Sequence, residues 1–255
     1  MNPKFHLLLL VLILSVITGC VNTKKITYFN DIEKVNGVEN KNRLQSFKVQ
    51  PGDVLQITIT TIDKDISMLL NPTVAGAPAI GANTMDQGYL VDSAGYIGLP
   101  MVGKVYVKDK TTSEINTLIA LELDKSIRNP FVSTRVANFR VSVLGDVARP
   151  GSFKISAERA SILDALSMAG DMNISAIRDD IIVIREVDGS KQYVTLNLND
   201  SKILSSPYYY LNNNDVIYVK PGRSKAFASS SFLQLLPAVI SALSLITTLI
   251  IVTAK

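Results

Sequence analysis

Two uncharged stretches of different length bracket this chain, and they constrain its architecture more than anything between them. Residues 7–17 form an apolar run of 11, followed by Thr18-Gly19-Cys20, and Cys20 is the only cysteine. Residues 226–254 carry no charged side chain over 29 positions. A short apolar run closed by a cysteine at one end and a stretch of spanning length at the other predict a protein held to a membrane at both ends. Its polar middle is then left in an aqueous compartment outside the cytoplasm.

The first stretch is too short to cross a hydrocarbon core, which takes about 20 apolar residues. With Lys4 ahead of it, it reads as a secretory signal over residues 1–19. Ile17-Thr18-Gly19-Cys20 is similar to a bacterial lipobox. That resemblance implies that the Cys20 thiol is diacylglycerylated, the signal is cut before it and the new amino group is acylated. More than one acyl chain gives stable anchoring where a single chain is marginal. Val21 follows where an aspartate would signal inner-membrane retention, so the outer membrane is expected. Retention in the inner membrane is the alternative.

A mature chain starting at Cys20 has 25 basic and 22 acidic residues, Lys4 being lost with the signal. This mild balance, without a basic cluster interleaved with aromatics, gives no support for nucleic acid as a partner. The single histidine, His6, lies in the signal, so Ser-His-Asp and Cys-His catalysis and imidazole metal sites are excluded from the mature protein. Asp63 with Asp65, and Asp179 with Asp180, are the candidate carboxylate pairs, and each reads as solvated acids at a strand end or turn. No Gly-rich phosphate loop follows a strand. The chain is expected to be no enzyme and to use no cofactor and no metal.

Between the bracketing stretches the pattern is α+β. Residues 20–46 are polar and read as a tether. Ordered structure is expected from Phe47, with a turn at Pro51-Gly52-Asp53 and a half-buried strand in which Leu55, Ile57 and Ile59 alternate with polar residues. Residues 71–88 hold one charge, Asp86, and read as a long loop. Strand signals return at 89–91, 96–97 and 104–108. A helix is predicted after them, with Thr111 and Glu114 as a capping box, Ile115, Leu118, Ile119, Leu123 and Ile127 as its apolar stripe, and Asn129-Pro130 as its end. Residues 135–144 read as one strand. Ser161 with Asp164 caps a short helix of about 161–169, and strands recur at 181–186, 193–198 and 215–220. These signals divide the body into domains at 47–138 and 139–221.

The turns fall in a known order. Phe47-Lys48-Val49-Gln50-Pro51-Gly52-Asp53-Val54-Leu55 resembles the opening of the polysaccharide biosynthesis/export domain, and Val91-Asp92-Ser93-Ala94-Gly95-Tyr96-Ile97-Gly98-Leu99-Pro100-Met101-Val102-Gly103 its central run. Val141-Ser142-Val143-Leu144-Gly145-Asp146-Val147-Ala148-Arg149-Pro150-Gly151-Ser152-Phe153 looks like the start of a β-grasp-like SLBB (soluble-ligand-binding β-grasp) domain, with Leu163-Asp164-Ala165-Leu166 and Ala169-Gly170-Asp171 at its helix end. The chain thus resembles outer-membrane polysaccharide export lipoproteins. The resemblance implies a ring-shaped homo-oligomer whose carboxy-terminal helices cross the outer membrane, and an inner-membrane copolymerase that delivers capsular or extracellular polysaccharide to it. It assigns no glycan-contacting residue. Asp109 and Asp171 stand where the family usually has glycine, both at turn positions that Asp tolerates. Only one SLBB unit fits before Pro221.

A transmembrane α-helix is expected within 226–254. Residues 232–253 would be about 33 Å long as a helix. Gln234, Ser241, Ser244 and Thr248 share one face of it, with Pro237, and would face a lumen or a packed neighbour. The plainer alternative is the small polar content of any membrane helix. The expected function is a subunit of an export channel. The alternative is a periplasmic adaptor or sugar-sensing module that forms no pore.

Overall fold

Apolar residues alternate along β1 (Val54–Thr60) so that Leu55, Ile57 and Ile59 are buried while Gln56, Thr58 and Thr60 are exposed. This one-sided strand sits at the centre of the first domain in the computed structural model, which describes residues 23–32, 47–71, 88–187, 189–228, 235, 237–242, 244–245, 248 and 253. β1 pairs antiparallel with β2 (Tyr89–Leu90) on one side and β5 (Phe131–Val136) on the other. α1 (Lys64–Leu70) follows β1, and a two-stranded ribbon of β3 (Tyr96–Leu99) and β4 (Gly103–Tyr106) leads to α2 (Thr112–Leu123). α2 turns Ile115, Ile119 and Leu123 onto the sheet, where they close a core with Val49, Leu55 and Ile97.

The second domain is a mixed five-stranded sheet. Its strands are β6 (Arg140–Gly145), β7 (Gly151–Lys154), β8 (Ala176–Val187), β9 (Ser190–Leu196) and β10 (Val216–Pro221), in the order β7-β6-β10-β8-β9. β10 runs parallel to β6 and antiparallel to β8. α3 (Ile162–Met168) buries Ile162, Ala165 and Leu166 in the core formed by Val141, Val143, Ile181 and Ile217. Gly145 makes the parallel pairing possible. Its φ is +97°, and a Cβ there would lie 1.9 Å from the carbonyl oxygen of Val219.

Both predicted helix caps are present. Thr111 Oγ1 accepts from the Glu114 amide at 3.2 Å while the Glu114 carboxylate accepts from the Thr111 amide at 2.7 Å, and Ser161 and Asp164 repeat the arrangement. Asp109 and Asp171 sit at φ 61° and 71°, the left-handed region that glycine ordinarily fills.

Three expectations are corrected. The strand read over 135–144 is two strands, because the chain leaves one sheet and enters another at Ala137-Asn138. α2 ends at Leu123, well before Asn129-Pro130, and Ile127 is buried from the turn that follows. Asp63 lies exposed in the bend after β1, at a turn as read, and its carboxylate caps α1, accepting the amides of Asp65 at 2.8 Å and Ile66 at 3.3 Å. Finally, the transmembrane helix expected in 226–254 is not found, since no helix among the described residues is long and apolar enough to cross a membrane. α4 (Arg223–Ala228) has six residues, about 9 Å of rise against the roughly 30 Å of a hydrocarbon core, and carries Arg223 and Lys225.

Candidate functional site

The residues that carried the resemblance at the start of the first domain build its joint with the second. The Pro51-Gly52-Asp53 turn buries the Asp53 side chain, whose Oδ2 accepts the Gln50 amide at 2.9 Å. Asn213, from the loop before β10, donates to Asp53 Oδ1 at 2.7 Å and accepts the Arg140 amide at 3.0 Å. Asn138, at the crossing point, accepts the Val54 amide at 2.9 Å and donates to the Gly52 carbonyl at 3.0 Å. Burial pushes the Asp53 carboxyl above its usual range, against the lowering effect of Asn213 and the Gln50 amide. Phe47 packs on both cores, its ring 5.2 Å from that of Phe139. Two side-chain amides, one carboxylate and an aromatic pair therefore fix how the domains meet.

Two clefts flank this joint. The larger, about 630 Å³, is lined by Gln56, Arg135, Phe139, Lys154 and Glu158 among others. The smaller, about 190 Å³, has Phe47 and Lys48 from the first domain facing Arg159, Arg185 and Tyr210 from the second. Arg185 is buried and held rigidly, gripping Asp215 with Nε at 3.0 Å and Nη2 at 2.7 Å and donating to the Tyr210 carbonyl. The Arg159 guanidinium stands 5.1 Å from the Tyr210 ring. No nucleophile–base pair is assembled among the residues that line either cleft. Of the second carboxylate pair, Asp180 forms an ion pair with Lys220 at 2.5 Å. Among the described residues no group of three or more His, Cys, Asp or Glu lies together as a metal site.

The far end of the second domain collects both flanks of the chain on one loop, residues 171–175. Residues 23–32, read from sequence as tether, lie against this domain. Tyr28 donates its hydroxyl to Asp171, and its ring covers the buried guanidinium of Arg178, whose centre is 5.6 Å away. Burial, then the Asp171 carboxylate, raises the Tyr28 phenol well above its usual range. The Phe29 amide donates to the Leu198 carbonyl at 3.0 Å, and Asp31 accepts from both the amide and the hydroxyl of Ser201 at 2.8 Å. At the other flank, the Gly222 amide donates to the Ser175 carbonyl at 2.8 Å. Lys225 of α4 reaches the buried Asp146 at 2.5 Å, where Asn173 and Ser175 also donate. Burial alone would raise the Asp146 carboxyl, but Lys225, Ser175 and Asn173 hold it below its ordinary value.

Of the residues singled out in the sequence, Cys20 and Gln234 lie outside the described residues, as does most of the 71–88 loop. Ser241 and Thr248 are exposed, and each hydroxyl is already spent inside its helix, Ser241 on the Pro237 carbonyl and Thr248 on the Ser244 carbonyl, both at 2.8 Å. Ser244, also exposed, lies one turn before Thr248. The structure does not bring these residues to either cleft. The joint residues Asp53, Asn138 and Asn213 went unnoticed in the sequence; the polar run 212–215 directly ahead of a strand was the available signal.

Comparison with known proteins divides the chain at the same joint. Residues 41–137 match the family model described as polysaccharide biosynthesis/export protein, and residues 139–219 match that of the SLBB domain, leaving Asn138 between them. The chain is similar to the EPS I polysaccharide export outer membrane protein EpsA of Ralstonia solanacearum, 25% identical over 206 residues that make up 74% of this chain and 52% of that one. It is also similar to the protein of the same description in Ralstonia nicotianae, 28% identical over 58% of this chain and 40% of that one. The chain thus spans about half the length or less of these relatives.

Proposed function

The chain belongs to the polysaccharide biosynthesis/export family, a family of export proteins and not of enzymes, and from that premise we propose that it is a subunit of an outer-membrane assembly that exports capsular or extracellular polysaccharide. The observation that carries this reading is the ordered pair of family domains fixed at one joint by Asp53, Asn138 and Asn213. In the proposal the subunits form a ring-shaped homo-oligomer that encloses the passage, an inner-membrane copolymerase feeds the chain to it, and acylated Cys20 ties each subunit to the outer membrane. Outer-membrane placement is supported by the descriptions of the two relatives.

Deleting the protein should leave polymer inside the cell and remove it from the surface, with export restored by the wild-type chain. Unchanged surface polysaccharide in the deletion strain would overturn the proposal. Mass spectrometry of the mature amino terminus should find an acylated cysteine at position 20; an unmodified terminus elsewhere removes the lipid anchor from the reading.

A second reading gains from the absence of a membrane-crossing helix among the described residues. In it the protein is a periplasmic adaptor or sugar sensor that uses its SLBB domain without forming a pore. Electron microscopy of the detergent-purified protein separates the two: closed rings with a lumen support the channel subunit, and single particles without rings support the adaptor.

A further inference from the structure

Loop 171–175 is where both flanks of the chain are fastened, and its fourth residue points an apolar side chain away from the protein. Ile174 is 78% exposed, among the most exposed large apolar side chains of the second domain. On one side of the loop is the segment that begins at Thr23, three residues after Cys20, held through Tyr28 and Asp171. On the other side is Gly222, bonded to Ser175, and beyond α4 the sequence carries no charge up to Ala254.

Arg149 and Arg223, each next to a residue whose amide bonds the loop, are exposed, as is Lys25 in the docked flank. Of the acidic groups around the loop, Asp146 is buried and paired with Lys225, while Asp171 is exposed, with its carboxylate bonded by the Tyr28 hydroxyl and the Met172 amide. A basic rim around a projecting apolar side chain is the composition of a lipid-contacting surface, in which the apolar group enters the boundary between headgroups and acyl chains and the cations face anionic headgroups.

We propose that the 171–175 end of the second domain rests on the anionic lipid surface, with Ile174 inserted in the headgroup layer. This rests on the outer-membrane reading above and adds to it which face meets the lipid and which domain stands away. β8 gives the scale. It runs from Ala176 at this end to Arg185 at the smaller cleft, a rise of at most about 30 Å at roughly 3.3 Å per residue, with an irregularity in its pairing to β10 between Ala176 and Ile181. The joint and the first domain are therefore held off the lipid by the length of one strand.

The test places a fluorescent probe at one site at a time on the full acylated chain, in which the Cys20 thiol is blocked. Ile174→Cys, Tyr193→Cys and Ile62→Cys variants carry an environment-sensitive label. Tyr193 and Ile62 are 78% and 83% exposed and lie toward the far end of β8 and in the first domain. Each protein is reconstituted into vesicles of phosphatidylethanolamine and phosphatidylglycerol, with and without a nitroxide lipid. The probe at 174 should shift to the blue and lose most of its emission to the nitroxide, while those at 193 and 62 stay unquenched. Protein that floats with the vesicles but shows no quenching at 174 overturns the inference and leaves the outer-membrane reading standing. A 174 probe equally shielded in detergent and in vesicles, and indifferent to the nitroxide, makes the loop a contact between protein subunits and also overturns it. Failure to float with vesicles at all removes both readings.

Discussion

Asn213 and Asp53, 160 positions apart, meet side chain to side chain at 2.7 Å across the boundary between the two domains. Asn213 is the only partner drawn from the second domain among the side-chain contacts described for Asp53, whose other acceptor oxygen serves the Gln50 amide within its own turn. The same Asn213 satisfies the first amide of β6. One side chain thus links the hub of the first domain to the first strand of the second.

Replacing Asn213 by alanine should leave a buried carboxylate oxygen and the Arg140 amide without these partners. The expected cost is about 1–3 kcal/mol. Since the chain has no tryptophan, urea unfolding is best followed by circular dichroism and tyrosine emission. A single cooperative transition in the wild type should separate into two in the variant. An unchanged midpoint would show that Phe47 and Phe139 hold the joint without the polar contact.

Acid should loosen the anchor of α4 before it disturbs the sheets. The Asp146 carboxyl is held below its ordinary value of 3.8 by Lys225, Ser175 and Asn173, with burial opposing them. A depressed carboxyl contributes stability that is complete above its unfolded value and lost as pH falls through the folded one. The loss therefore belongs below about pH 4. Asp146→Asn should cost about 2 kcal/mol at neutral pH and flatten the acid limb of a stability–pH curve. Asp53, raised by burial, acts with the opposite sign, and its neutral-pH cost is relieved as it takes up a proton.

Tyr28→Phe keeps the ring over Arg178 and removes only the hydroxyl that Asp171 accepts. The loss should be about 1 kcal/mol, felt locally. Hydrogen exchange should speed up at the Phe29 and Asn30 amides, which bond to Leu198 and Asn199. Amides inside β8 should keep their protection. Asp171→Gly should have the same local effect while relieving a positive φ. Equal loosening of β8 would contradict a local role.

Gly145 and Gly52 share a positive φ, at 97° and 88°, but not the same surroundings. Gly52→Ala meets no atom within 4 Å and should cost only backbone strain, about 1–2 kcal/mol. Gly145→Ala adds a methyl group 1.9 Å from the Val219 oxygen and must break the β6–β10 pairing, at about 3 kcal/mol or more. Comparable melting temperatures for the two variants would refute the close approach.

Patterns of local origin were legible in the sequence. The alternation along β1, the two capping boxes and the two aspartates at glycine-like turns each depend on neighbours within four residues or on one backbone angle. The break at Ala137-Asn138 left only a faint mark, a slip of the apolar phase from even positions (Val132, Val136) to odd ones (Ala137, Phe139, Val141, Val143), and one such slip reads equally well as a bulge within a single strand. α1 escaped notice because seven residues with only Leu70 buried make no stripe. The docking of residues 23–32 depends on single pairs such as Asp31 with Ser201, 170 positions apart, and such pairs leave no period to read. The carboxy-terminal reading failed differently: hydrophobic length states what a helix could do, and among the described residues no helix is long and apolar enough to cross a membrane.

β8 has a mechanical consequence. It is hydrogen-bonded along both flanks, to β10 and to β9, and joins the end that holds the chain's flanks to the end that meets the first domain. A force directed along that axis loads its ladder bonds in shear, many at once, where a force across the sheet would unzip them singly. The sheet is thus stiffest along β8 and weakest across it.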